Sequence, residues 1–224
     1  MACDALRVSQ LPRVWLVPDF VDAEEEAALL AAATGPAARW TQVSGRRLQA
    51  LGGVVHASAG LLPAPLPKWV TPLLARIQQR GAPGLFDGVT LNHVLVNAYD
   101  AGEGILPHQD GPLYHPAVAI VSLGADAVMT FSPHQDLLDV AAASAAPPPE
   151  TVSVWLPRRS LLLFTDDAYT SRLHGIPARL VDDLTAVCNP PPGGATEATR
   201  AGSRVSLTCR SVLKVRRNLL PTRP

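Results

Sequence analysis

The texture of the chain beyond residue 88 constrains the fold more than any other feature. Short apolar runs alternate there with turn residues: VTLNHVLVNAY, PAVAIVSLG, DAVMTFS, TVSVWLP, RSLLLFT, AYTSRLHGI and SRVSLTCRSVLKV. Each has strand length. The residues between them are rich in Gly, Pro, Asn, Asp and Ser, which supply turn geometry or withhold a backbone donor. Seven such runs in little more than half of 224 residues predict a mainly β, α+β chain built as a sandwich or jelly roll. The 22 prolines agree, because proline interrupts helices and central strands and collects in turns.

The first part of the chain reads differently. Residues 11–20, LPRVWLVPDF, have the pattern of a short strand. Asp22 followed by Glu25 resembles a capping box and predicts a helix over 23–33, stopping before Gly35-Pro36. A second helix is expected over 69–79. Residues 40–53, WTQVSGRRLQALGG, show no helical period and suggest an exposed hairpin or lid. The expected organisation is one domain over 1–224: a strand, helix and lid region to about residue 88, then a jelly-roll core over about 89–215. Two low-complexity stretches, LLDVAAASAAPPPE and NPPPGGATEATRAG, are expected as surface loops.

Charge and cysteine content narrow the function classes. Lys+Arg and Asp+Glu both number 19, giving a net charge of +0, which is unlike a strongly basic nucleic-acid binder. The charge is uneven, though. Arg204, Arg210, Lys214, Arg216, Arg217 and Arg223 follow residue 200 with no acid among them. That tail reads as a solvated basic terminus or as a phosphate-contacting arm. Cys3, Cys188 and Cys209 form no CxxC pair, which excludes a disulfide framework and a cysteine-rich zinc site and favours a reducing compartment. No apolar run approaches the roughly eighteen residues of a membrane span. The first residues lack the pattern of a signal peptide. A soluble intracellular protein with no membrane partner is expected.

Chemistry concentrates in residues 97–110, NAYDAGEGILPHQD. His108 and Asp110, two apart at the end of an extended run, share a face and offer an imidazole and a carboxylate. A second histidine from a distant strand would complete a two-histidine, one-carboxylate set with open positions, the pattern of non-haem Fe(II) oxygenases. The same tripeptide recurs as His134-Gln135-Asp136. It stands beside Pro133 and the alanine/proline stretch, where a solvated surface pair is expected, whereas the first follows a strand carrying Asn97 and Tyr99. His174, backed by Gly175 as a possible sharp turn, is the natural third ligand. A lone histidine is more often a packing residue, so the following strand matters. In RVSLTCR, Arg204, Ser206, Thr208 and Arg210 share one face, and Val205, Leu207 and Cys209 the other. Buried unpaired arginines are costly, and a dicarboxylate would satisfy them through planar forks. On an edge strand they would face water instead.

The series N-x-Y-x-x-G, HxD, a distant His and R-x-S-x-T-x-R resembles the AlkB-like Fe(II)/2-oxoglutarate dioxygenases over roughly residues 90–212. NHVLVNAY, GEGILPHQDGPLYHP and RVSLT carry a closer likeness to the subfamily of the sixth mammalian AlkB homologue. The resemblance implies a double-stranded β-helix, that is, a jelly-roll core with amino-terminal helices on one face. It implies that His108, Asp110 and His174 bind Fe(II), and that Tyr99 and Arg204 hold the distal carboxylate of 2-oxoglutarate, with Ser206 as a further hydrogen-bond donor in the cosubstrate site. Arg210 and Asn97 would lie near the metal-bound end. With O2, decarboxylation would leave succinate and oxidise a substrate C–H, and an N-methyl target would lose formaldehyde. The sequence departs from the family at Ser206, where Asn is common. It also departs at Gly111-Pro112, where nucleic-acid demethylases of the family often carry an acid that contacts the base.

The implied substrate is N-methylated RNA or DNA, taken as a single strand or a flipped base, with Trp40 stacking and Arg46 or Arg47 meeting phosphate. Simple packing is the alternative for Trp40. Two other functions stay open: a protein or small-molecule hydroxylase on the same site, and a nucleic-acid-binding protein with little catalysis. A monomer, cytoplasmic and nuclear, is the expectation.

Overall fold

In the computed structural model the described residues are 6–8, 10–80, 84–144, 147 and 149–216. Cys3, Arg217 and Arg223 lie outside them. The first half runs β1 (Leu6–Arg7), β2 (Val14–Val17), α1 (Ala23–Thr34), β3 (Thr41–Val43), β4 (Arg46–Leu51), β5 (Gly53–His56), β6 (Gly60–Pro63) and α2 (Thr71–Arg80). The second half runs β7 (His93–Tyr99), β8 (Ile105–His108), β9 (Ala117–Leu123), β10 (Ala127–Pro133) and α3 (Gln135–Ala143). It continues with β11 (Val152–Leu156), β12 (Leu161–Thr165), α4 (Asp167–Thr170), β13 (Arg172–Ile176), β14 (Val181–Asp183), β15 (Glu197–Thr199) and β16 (Arg204–Arg210).

Two antiparallel sheets form the jelly roll. The larger has the order β1-β2-β12-β9-β16-β7-β4-β3, and the smaller has the order β11-β10-β13-β8. Side chains alternate across the pleat, so each central strand of the large sheet serves two cores. Ala119, Val121, Leu161, Leu163, Val205, Leu207 and Cys209 pack with Leu29, Leu73 and Ile77 of the helices. Val118, Ile120, Leu162 and Phe164 face the other way, and pack with Met129, Phe131, Val154 and Ile176 of the small sheet. Strands buried on both faces read as continuous apolar runs, which is why β9 and β12 show no alternation in sequence.

Helix α1 starts where the sequence predicts. Asp22 accepts from Glu25 N at 2.8 Å. The Glu25 carboxylate does not close the box. It accepts from Arg76 Nη2 at 2.8 and 2.9 Å and ties α1 to α2. Buried Glu26 accepts from Gly124 N at 2.9 Å and fixes the helix to the β9–β10 turn.

Four sequence expectations are corrected. Residues 40–53 do begin with a hairpin, β3 with β4, but they are not a free lid, because β4 pairs with β7 and extends the large sheet. β2 likewise pairs with β12, so the amino-terminal region builds the core sheet instead of standing before it. The stretch after Pro133 is not all loop: its Leu- and Ala-rich residues favour helix, and the His134 side chain accepts from Asp136 N to cap α3. The run AYTSRLHGI is split. Its first residues form α4, with Tyr169 N and Thr170 N donating to the Asp166 carbonyl, and only Arg172 onward is strand.

Candidate metal and cosubstrate site

The site lies between the two sheets. His174 of β13 stands directly opposite His108 of β8 in the antiparallel register. Their ring centroids are 4.4 Å apart. Gly175 does not turn the chain as the sequence suggested. It continues β13 and lets β8 approach, since a Cβ there would stand 2.9 Å from Ile105 O and from Pro107 N. Asp110 follows two residues after His108 and completes a cluster whose ligand atoms all lie within 4.8 Å of one another.

Protonation suits metal binding. His108 Nδ1 lies 2.9 Å from Leu106 O. A carbonyl can only accept, so Nδ1 is the nitrogen that donates and Nε2 is the one left for a metal. Burial lowers the His174 pKa to about 4 against the pull of Asp110, so this imidazole is neutral at physiological pH. The rings of Phe164 and Phe131 lie 5.0 and 6.3 Å from that of His174 and form a dry wall. Arg210 Nη1 donates to Asp110 Oδ1 in a buried ion pair. Asp110 Oδ2 is buried and has no hydrogen-bond partner among the described residues. Arg210 is itself stacked, with Cζ 4.0 Å from the centre of the Tyr114 ring.

β16 lies between β7 and β9, so its arginines do not face water. Arg204, Ser206, Thr208 and Arg210 all line one cavity with Asn97, Tyr99, His108, Asp110 and His174. Arg204 is only 4 % exposed. Its Nη2 donates to Ser122 Oγ at 2.9 Å, while Nε and Nη1 are buried with no partner among the described residues. Burial raises the pKa of Tyr99, against the nearby Arg204 and Arg46, so the phenol keeps its proton as a donor. The cavity therefore holds one orphaned carboxylate oxygen near two imidazoles and, on β16, a guanidinium with two orphaned nitrogens. A divalent metal and a dicarboxylate fit these atoms, because each supplies what a buried group lacks.

The remaining expected residues separate. Arg46, on the cavity face of β4, donates from Nε to Asn97 Oδ1 at 3.0 Å. Arg47 points to the opposite face, with Cζ 5.5 Å from the centre of the Trp40 ring. Trp40 packs against the helical core and does not reach the cavity, which corrects its expected role as a stacking platform. A wider groove opens outside the cavity. It is walled by residues 43–46, 102–108 and 175–178 with Thr130, and it shares Arg46, Ile105, His108 and Ile176 with the cavity. Ser122 was missed by sequence reasoning. Its signal is the one hydroxyl in the otherwise apolar run AVAIVSL.

The profile of the 2OG-Fe(II) oxygenase superfamily matches residues 35–210. "Probable RNA/DNA demethylase ALKBH6" from Danio rerio is 40% identical over 208 residues, covering 91% of this chain and 87% of the relative. "Alkylated DNA repair protein ALKBH8 homolog" from Arabidopsis thaliana is 29% identical over 216 residues, covering 90% of this chain and 59% of the relative. Among solved structures, a 2OG-Fe(II) oxygenase family oxidoreductase from Burkholderia pseudomallei superimposes with a TM-score of 0.58 at 15% identity, covering 92% and 88% of the two chains. That likeness shows the shared jelly-roll fold. The chain belongs to the 2OG-Fe(II) oxygenase superfamily, in its AlkB-like branch, and is an oxidoreductase that uses Fe(II), 2-oxoglutarate and O2.

Proposed function

We propose that this chain, acting as one domain, oxidatively removes N-methyl groups from nucleic acid and releases formaldehyde and succinate. One observation carries the reading: Asp110 Oδ2 and Arg204 Nε and Nη1 are buried, unpartnered and turned to one cavity with both histidines. His108, Asp110 and His174 would hold Fe(II). Bound Fe(II), with 2-oxoglutarate and O2, supplies an oxidant able to take hydrogen from a substrate C–H. Arg204, Tyr99 and Ser206 seat the distal carboxylate, and Ser122 holds the guanidinium in place. Arg210 orients Asp110 by charge-assisted bonding. Asn97 turns its Oδ1 to Arg46, because guanidinium can only donate, and so presents its NH2 to the cavity. A hydroxymethyl group formed on nitrogen then breaks its C–N bond, the hydroxyl proton passes to nitrogen, and formaldehyde leaves. The 40% identical relative named as a probable RNA/DNA demethylase supports this substrate class.

A second reading, hydroxylation of a protein or small molecule, is favoured by the outer groove, because no Phe, Tyr or Trp lines it and its one aromatic ring belongs to the metal-ligand candidate His108. The two readings part in one experiment. An anaerobic titration with Fe(II) and 2-oxoglutarate should give a visible charge-transfer band, and oxygen should then give succinate. Both should vanish in His108→Ala. Methylated oligonucleotides should next yield formaldehyde. Succinate without formaldehyde from any of them would sink the nucleic-acid reading and leave the second.

A further inference from the structure

Arg46 stands where the cavity meets the outer groove. Its position is set twice: β4 is hydrogen-bonded to β7, and Arg46 Nε donates to Asn97 Oδ1 at 3.0 Å. Its terminal nitrogens make no hydrogen bond or ion pair among the described residues. The groove's other charged side chain is Glu103, apart from His108. Glu103 is turned into its own loop, where Oε2 accepts from Asp100 N at 2.8 Å, and its carbonyl accepts from Arg200 Nη1 at 3.0 Å. No acid follows Asp110, where the chain runs Gly111-Pro112.

The charges lining the cavity are Arg46, Arg204 and Arg210 against Asp110. A ferrous ion and doubly ionised 2-oxoglutarate cancel one another, so the excess of positive charge persists when both are bound. Low-dielectric walls strengthen its action on any group brought against His108. Methylated bases fall into two electrostatic classes. N1-methyladenine and N3-methylcytosine are cations at neutral pH, because the methyl group occupies a ring lone pair. N1-methylguanine and N3-methyluracil are neutral and carry a carbonyl oxygen beside the methylated nitrogen, which a guanidinium can donate to.

We propose that Arg46 makes this site select neutral, carbonyl-bearing N-methylated bases against cationic ones. This rests on the nucleic-acid reading above. The unused guanidinium nitrogens donate to the base carbonyl, and the same charge repels a cationic ring.

The test uses four short single-stranded oligonucleotides of one sequence, each with one of these bases at the same position. Binding is measured anaerobically by fluorescence anisotropy with Mn(II) and saturating 2-oxoglutarate. Formaldehyde release is measured with Fe(II) in air. Wild type should favour the neutral pair by roughly tenfold or more in both readouts. Arg46→Met should collapse that ratio to within about threefold, while Arg46→Lys, which keeps the charge, should retain most of it. Arg47→Met, one residue away on the opposite face, should leave it unchanged. The ratio does not depend on the fraction of protein folded, so a weakened variant remains informative. A wild-type preference for the cationic bases, or an unaltered ratio in Arg46→Met, would overturn the proposal alone. Succinate with no formaldehyde from any base would overturn the nucleic-acid reading and this inference with it.

Discussion

The chain carries one tripeptide twice, and the two copies have opposite fates. His108-Gln109-Asp110 ends β8 between the sheets. His134-Gln135-Asp136 opens α3 at the surface. The Asp110 side chain is 5 % exposed and ion-paired with Arg210, and that of Asp136 is 80 % exposed. The two histidines also bond differently. His108 gives its Nδ1 proton to Leu106 O and faces His174, whereas His134 Nδ1 lies 3.4 Å from Asp136 N and 3.2 Å from the Asp136 carboxylate. What separates them is not the tripeptide but what stands opposite it. β13 brings His174 and β16 brings Arg210 to the first copy, and among the described residues nothing comparable meets the second.

The comparison breaks most sharply at the carboxylates. Asp110→Ala should lower 2-oxoglutarate turnover by roughly a thousandfold or more, since it removes a metal ligand and strands Arg210 as a buried unpaired charge. Asp136→Ala should leave turnover unchanged. Succinate formation by both variants, after thermal melts confirm folding, decides the matter. Equal losses would mean that α3 shapes the site in a way the contacts do not show.

The next largest effect concerns the group opposite. Arg204→Met should raise the KM for 2-oxoglutarate by roughly a hundredfold, the loss of a forked pair of charge-assisted bonds. Without cosubstrate the same variant should melt no lower than wild type, because a buried guanidinium with two unpartnered nitrogens gives way to an apolar chain of similar length. A lower melting temperature would show that Arg204 is satisfied in a way these contacts omit. Calorimetry with Mn(II) reads the binding directly.

The sequence was legible where one residue type carries the decision. The alternation of Arg204, Ser206, Thr208 and Arg210 against Val205, Leu207 and Cys209 is a period-2 pattern, and it survives as the two faces of β16. The choice between the two tripeptides followed from their neighbours. Legibility failed where register decides. Arg46 and Arg47 are adjacent and chemically alike, and only the pairing of Leu48 with Asn97 puts Arg46 toward the cavity and Arg47 behind it. Ser122 was missed because a strand buried on both faces shows no alternation that would tell which side its lone hydroxyl serves. Trp40 looked like a platform because exposure cannot be read from residue type, and the helical core claims it instead.

Ser122 sharpens the claim that opposite partners make the site. Ser122→Ala leaves Arg204 Nη2 without its bond at 2.9 Å, in a place closed to water. The guanidinium then loses a fixed direction but not its charge. The KM for 2-oxoglutarate should rise about fivefold, the equivalent of about 1 kcal/mol, with kcat little changed. A fall in kcat at unchanged KM would place Ser122 in the chemistry instead of behind the cosubstrate.

The smallest expected effect belongs to the second histidine. His134 accepts from Asp136 N at a long 3.4 Å, and the first turn of α3 gains one satisfied donor from it. His134→Ala should therefore cost about 0.5 kcal/mol of stability, the low end for a helix cap, with no change in succinate formation or in metal binding. His134→Asp should restore the cap, because a carboxylate at that position also meets the positive end of the helix. Denaturant melts of the two variants against wild type measure this. If His134→Ala weakened Fe(II) binding while His134→Asp restored it, the cap would be acting on the site through β10, which leads directly into α3 and pairs with the strand of His174.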